Sequence, residues 1–121
     1  MSTTIIRDYH FTYGELNCRC GCGMECDIRL VEKLEALRLI IEEPIIIHSG
    51  ARCPNHNKAV GGADDSWHMK GLAIDTYVRN SRHRRKLVEN AIAVGFTGIG
   101  IAKIFTHLDL RPAEEALIFL Y

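Results

Sequence analysis

Ser66-Trp67-His68-Met69-Lys70-Gly71-Leu72-Ala73-Ile74-Asp75 and, about thirty residues later, Thr106-His107-Leu108-Asp109 decide how this chain is read. Together they offer two imidazoles and a carboxylate able to meet at one point. Two nitrogens and an oxygen suit Zn²⁺ with its fourth position open, the layout of a catalytic rather than a structural site. Gly71 lets the chain turn sharply after His68. Leu72 to Val78 then reads as a strand. Alternation puts Ala73, Asp75 and Tyr77 on one face, with Leu72, Ile74, Thr76 and Val78 on the other. In the second segment Phe105, His107, Asp109 and Arg111 share a face, and Thr106, Leu108 and Leu110 point away. One of His107 and Asp109 can bind a metal while the other stands beside the reacting water.

The rest of the chain forms a framework for these two strands. Asp27 to Glu42 is the clearest helix, with Asp27 as N-cap and Pro44 after its end. Its apolar face is Ile28, Val31, Leu34, Leu37 and Ile41. Ile45-Ile46-Ile47-His48 is β-branched and strand-like. Ser49 to Asp65, rich in Gly, Asn, Asp and Pro, reads as a long loop of the kind that often carries function. Ser81 to Val94 is a second helix, capped by Ser81 and stopped by Gly95, with Leu87, Val88, Ala91 and Ile92 toward the core. Gly98 to Ala102 and Ile104 to Leu110 are strands, and Pro112 to Leu120 is a final helix or strand. Phe11 to Gly23 is a leading segment and loop. Helices packed on a small antiparallel sheet give an α+β fold in one domain spanning residues 1–121.

The quoted motifs belong to a longer ordered set. Ser49-Gly50-Ala51-Arg52-Cys53-Pro54-Asn55-His56-Asn57 comes first, then Gly61-Gly62-Ala63, Ser66-x-His68-x-x-Gly71-x-Ala73-x-Asp75, Gly95-Phe96, Gly98-Ile99-Gly100 and His107-x-Asp109-x-Arg111. The set resembles the zinc D-Ala-D-Ala carboxypeptidase family, peptidoglycan peptidases that share the fold of the hedgehog signalling domain. It is most similar to the short phage- and prophage-associated branch. The resemblance runs from about Phe11 to Arg111.

It implies zinc ligands at His68, Asp75 and His107. It implies that Arg52 binds the substrate carbonyl or carboxylate and that Ser66 helps to position substrate. Family members commonly carry an acid three residues before the last zinc histidine as general base. Ile104 stands there in this chain, which leaves Asp109 as the candidate base. Zinc would polarise the scissile carbonyl and activate water, a carboxylate would move the proton, and a guanidinium would clamp an oxyanion or terminal carboxylate. The family also commonly has Trp after the His-x-Asp-x-Arg segment, where this chain reads Pro112 to Tyr121, so its substrate wall is expected to differ.

The expected function is therefore zinc-dependent hydrolysis of peptidoglycan peptide bonds, of D,D-carboxypeptidase or endopeptidase type. The alternative is a catalytically inactive wall-binding or structural module of the same fold, which the missing acid at Ile104 favours.

Composition sets further bounds. The 121 residues are 47% apolar and 25% charged, with a formal net charge of zero, typical of a globular domain without general affinity for nucleic acid. The one basic cluster, Arg79, Arg82, Arg84, Arg85 and Lys86, reads as a solvated surface or as an attraction for an anionic wall. The N-terminus has no signal-peptide core and no run could span a bilayer. The expectation is a monomer made in the cytoplasm that reaches the wall after release or on a phage particle.

Cys18, Cys20, Cys22 and Cys26 crowd together, and Cys53 stands beside Arg52. A structural metal site, disulfides and reduced thiols all remain open. His10 and His83 read as surface residues, and His48 as a strand-end residue bonded to its neighbours. His56 reads as either a cleft or a loop residue. Trp67 reads as a substrate wall or a cover for the metal loop, and Asn57 as a brace for the long loop.

Overall fold

The computed structural model describes residues 1–121. A five-stranded sheet runs in the order β1-β2-β4-β3-β5, from Ile47–Ser49 (β1), Ala73–Tyr77 (β2), Gly98–Ile101 (β3), Phe105–Asp109 (β4) and Leu117–Leu120 (β5). The helices are Tyr13–Leu16 (α1), Ile28–Ile41 (α2), Pro54–Ala59 (α3) and Ser81–Val94 (α4), with short 3₁₀ turns at Trp67–Lys70 and Ala113–Glu115. No helix is long and apolar enough to cross a membrane.

The two long helices cover one face of the sheet. Leu30, Val31, Leu34, Leu37 and Ile41 of α2 and Leu87 and Ala91 of α4 are buried with Ile74, Ile99 and Leu108 of the sheet. Leu34 is fully buried, so truncation to Ala would cost about 2–5 kcal/mol. This core leaves the opposite face of the sheet, which carries Asp75, His107 and Asp109, free to build a site. The apolar stripe differs from its sequence reading at two positions. Ile28 and Ile92 are exposed, and Leu30 takes a core place instead.

Most boundaries follow local chemistry. The Asp27 carboxylate accepts from the Arg29 N–H and caps α2, which ends at Glu42 in a left-handed conformation. The α4 cap is Asn80 rather than Ser81. Asn80 has the extended backbone a cap needs and its Oδ1 accepts from the His83 N–H at 2.8 Å. The expected loop Ser49 to Asp65 contains α3, with Pro54 in its first turn. The fixed φ of proline starts this short helix despite turn-rich composition. Asn57 braces the remaining loop, as expected: buried, it donates through Nδ2 to the Ala63 carbonyl at 2.9 Å.

Strands β1 to β4 pair antiparallel, but β5 pairs parallel to β3. The cause is the connection. Asp109, at the end of β4, lies opposite Gly98, at the start of β3. Residues 112–116 carry the chain around that same end, so β5 begins beside Gly98 and runs with β3.

His83 is buried, not at the surface. Its Nδ1 accepts from the Arg79 N–H at 3.1 Å, so its Nε2 donates to Glu43 at 3.2 Å. His10 is exposed, yet its Nδ1 lies 2.7 Å from the buried Glu35 carboxylate. The basic cluster is largely engaged. Arg79 and Lys86 bond Glu43, Arg85 bonds Glu89, and Arg84 donates to main-chain carbonyls of Ala102 and Phe105.

Candidate metal centre and its cleft

Asp75 and His107 are direct cross-strand partners on β2 and β4, and both side chains leave the same face. His68 arrives from the 3₁₀ turn ahead of β2. Ser66 caps that turn, its Oγ accepting from the His68 N–H at 3.2 Å, and Gly71 closes it at φ +69°. The glycine matters here because the left-handed conformation strains any residue with a Cβ. The turn is fastened by main-chain bonds from Arg52 N–H to the His68 carbonyl and from Asp27 N–H to the Gly71 carbonyl.

His68, Asp75 and His107 are all buried, with ligand atoms within 4.8 Å of one another. Asp75 Oδ1 lies 3.1 Å from His68 Nε2 and 3.2 Å from His107 Nδ1. The outer nitrogens fix the tautomers. His68 Nδ1 is 2.8 Å from the Gly50 carbonyl, which can only accept, so Nδ1 carries the proton. His107 Nε2 is 2.7 Å from the Asp109 carboxylate, so Nε2 donates there. In the neutral imidazoles the inner nitrogens are then bare lone pairs, and both face a carboxylate oxygen. Three acceptors converge with no donor among them, an arrangement that a cation bridging them would satisfy. The donor set, closed backing contacts and burial fit a zinc ion.

Burial works against the Asp75 anion, yet the His107 and His68 rings set against it hold its pKa down at about 2. Burial likewise opposes a His107 cation, but Asp109 and Asp75 outweigh it and raise the pKa.

Asp109 does not stand where a proton acceptor for water was expected. It is fully buried behind His107. Its Oδ2 accepts from His107 Nε2 and from Arg111 Nη2 at 2.6 Å, and its Oδ1 from Arg111 Nε at 2.9 Å and the Arg111 N–H at 3.0 Å. Burial would raise its pKa, but the Arg111 fork and His107 hold it well below the carboxylate range. Gly98 makes this packing possible, since a Cβ there would lie 2.1 Å from Asp109 Oδ1. The strand face was read correctly, but the Arg111 fork and the space left at Gly98 hold Asp109 behind the ring.

A cleft of about 870 Å³ opens over the cluster, in the size range of ligand sites. Arg52, Ser66, Trp67, His48 and His56 all border it. Arg52 is buried, and its Nε has no hydrogen-bond partner. The Trp67 ring is covered on one side by Lys70 Nζ at 4.1 Å, so it is both a wall and part of the metal turn. His48 bonds the Tyr77 hydroxyl at 2.8 Å and stacks on Phe105 at 4.9 Å.

Two residues of the far wall were not singled out from the sequence. Phe119 packs edge-on to His107 at 5.5 Å, and the Tyr121 hydroxyl lies 3.2 Å from His107 Nδ1. Although Tyr121 is 61% exposed overall, desolvation where it faces the cluster, with the Asp75 charge, pushes its pKa up to about 12, so the hydroxyl keeps its proton. The alternation Leu117, Phe119, Tyr121 was the available signal. It was undecidable while the segment could be helix or strand.

No curated protein matches this chain in sequence. The family model described as Peptidase M15 matches residues 9–109, a span that holds Arg52, Ser66, the converging His68, Asp75 and His107, and Asp109. With the motifs in order, the α+β fold and the buried His-Asp-His cluster all in agreement, the chain belongs to the Peptidase M15 family of zinc-dependent metallopeptidases.

Proposed function

We propose that this chain hydrolyses peptide bonds of bacterial peptidoglycan, as a D,D-carboxypeptidase or endopeptidase, reaching the wall after release from the cell or on a phage particle. The carrying observation is Arg52: a buried guanidinium with an unpartnered Nε on the rim of the metal cluster. An unmet buried donor of this kind costs about 1–3 kcal/mol. A substrate carboxylate or carbonyl oxygen would relieve it. D-Ala-terminated stem peptides offer such a carboxylate, and a cross-linked peptide offers a carbonyl.

His68, Asp75 and His107 would hold the zinc ion, which supplies a Lewis acid for the scissile carbonyl and for water. Arg52 orients the substrate. Asp109 acts through His107, as a positioning residue that fixes its tautomer. The Tyr121 hydroxyl donates toward the developing oxyanion. His48 accepts the proton. It sits against Phe105, the neighbour of Ile104, where the resemblance expects an acid. Trp67 and Phe119 flank the substrate chain.

The test is digestion of purified peptidoglycan by zinc-loaded protein, with mass spectrometry of the products and a His68→Ala control. Released D-Ala, or new amine termini, absent in the control, support the reading. Arg52→Lys should raise KM at least tenfold, because a point charge cannot reproduce the fork. His48→Gln should lower kcat with little change in KM. Zinc-bound protein that yields no product from any wall type overturns the proposal in favour of the inactive module, which Ile104 and the locked Asp109 favour.

A further inference from the structure

The first four cysteines of the sequence do not act as one group. Cys26 turns away and donates to the Leu16 carbonyl at 3.3 Å. Cys53, thirty-three residues after Cys20, joins the other three instead. The Sγ atoms of Cys18, Cys20, Cys22 and Cys53 lie within 4.8 Å of one another. Cys20 Sγ is 3.4 Å from Cys18 Sγ and 3.6 Å from Cys53 Sγ. A tetrahedron of thiolates around zinc, with bonds of about 2.3 Å, has sulfur–sulfur edges of about 3.8 Å. The cluster therefore has nearly the size of an assembled tetrathiolate shell.

A disulfide pattern fits less well. It needs exclusive pairs about 2.05 Å apart, whereas Cys20 is shared almost equally between two neighbours. The main chain also donates into the cluster: the Cys53 N–H points to Cys18 Sγ and the His56 N–H to Cys53 Sγ, both at 3.4 Å. N–H donors of this kind back thiolates that carry negative charge.

The loop itself needs such a link. Cys20 and Cys22 are exposed, and Gly21 and Gly23 hold φ of +86° and +88° with open space around them. Burial does not account for its shape. We propose that Cys18, Cys20, Cys22 and Cys53 form a second, structural metal site for a thiophilic divalent ion, Zn²⁺ first. The four thiols release four protons as the ion binds, leaving a net charge of −2 on a site whose immediate sequence neighbours include Arg19 and Arg52. The site would tie residues 18–22 to the start of α3 and so hold the segment that presents Arg52.

The experiment titrates metal-free, reduced protein with Co²⁺. Wild type should take up two ions, one giving an intense thiolate-to-cobalt charge-transfer band in the near ultraviolet. The double variant His68→Ala/His107→Ala should keep that band and lose one ion. Cys20→Ser/Cys22→Ser should lose the band and keep the other ion. Zinc counts on purified protein should read two, one and one. The wild-type spectrum needs no substitution, so misfolding of the serine variant cannot mask the result, and no readout requires turnover. Absence of a sulfur-to-cobalt band in reduced wild type, or zinc-competent protein whose four cysteines are paired as disulfides, overturns the proposal.

Discussion

Asp109→Asn and Asp109→Ala separate two roles that one carboxylate could fill. The wild-type carboxylate takes a 2.7 Å bond from His107 Nε2 and a two-pronged bond from Arg111. Asparagine retains an oxygen that can accept from Nε2, so His107 keeps its tautomer and its Nδ1 keeps its aim. Alanine leaves the ring free and the Arg111 guanidinium without its partner. Loss of such a backing contact typically weakens metal binding 10- to 100-fold, or about 1.4–2.7 kcal/mol. Removing the buried carboxylate costs the fold a further ~3 kcal/mol, at the low end for a broken buried pair because Arg111 retains some access to water. The assay is competition for Zn²⁺ against a chelator of known affinity, with turnover measured at full metal occupancy. Alanine should lose at least tenfold in zinc affinity, and asparagine about threefold or less. Both should recover most of their turnover once zinc is saturating. If Asp109→Asn binds zinc like wild type but is inert when loaded, Asp109 takes part in proton transfer and the positioning argument fails.

Gly98→Ala should mimic Asp109→Ala while leaving the carboxylate in the sequence, because the added Cβ would collide with Oδ1 and push it off His107; unchanged zinc affinity would refute this. Tyr121→Phe should keep zinc affinity and lower kcat by about 100-fold if its hydroxyl serves the oxyanion, and an unchanged kcat removes it from the reaction. His83 gives a pH signature remote from the cleft. Burial, with Arg79 and Lys86 nearby, lowers its pKa below the unfolded value of about 6.5. The unfolded chain therefore binds the extra proton first, and stability falls as pH drops below about 6.5. Thermal melts across pH should show that fall in wild type and a shallower one in His83→Gln; equal slopes would count against it.

The sequence was most legible where periodicity and spacing carried the answer. The helix Asp27 to Glu42 and the strand faces of Asp75 and His107 follow from period alone, while His68, on the turn before β2, joined them through the spacing of the motif and the family resemblance. Pairing across strands was not legible. Nothing in Thr106 to Arg111 says that Arg111 closes its fork on Asp109, because that depends on the space that Gly98 leaves on the neighbouring strand. Asn80 and Ser81 are both good caps, and only the backbone chose between them. The segment from Pro112 was ambiguous because its partner strand lies elsewhere in the chain. His83 looked solvated among four arginines, yet the Glu43 carboxylate draws that group inward.

The parallel strand β5 has one more implication. The ligands and their backing groups occupy β2, β4 and the turn before β2, at the centre of the sheet. Phe119 and Tyr121, which border the cleft, lie on and just after the outermost strand, beyond the residues 9–109 that the family model matches. The converging His68, Asp75 and His107 thus lie inside the matched span and the outer wall of the cleft lies outside it. Replacing residues 112–121 would reshape that wall while leaving the three converging residues themselves unchanged.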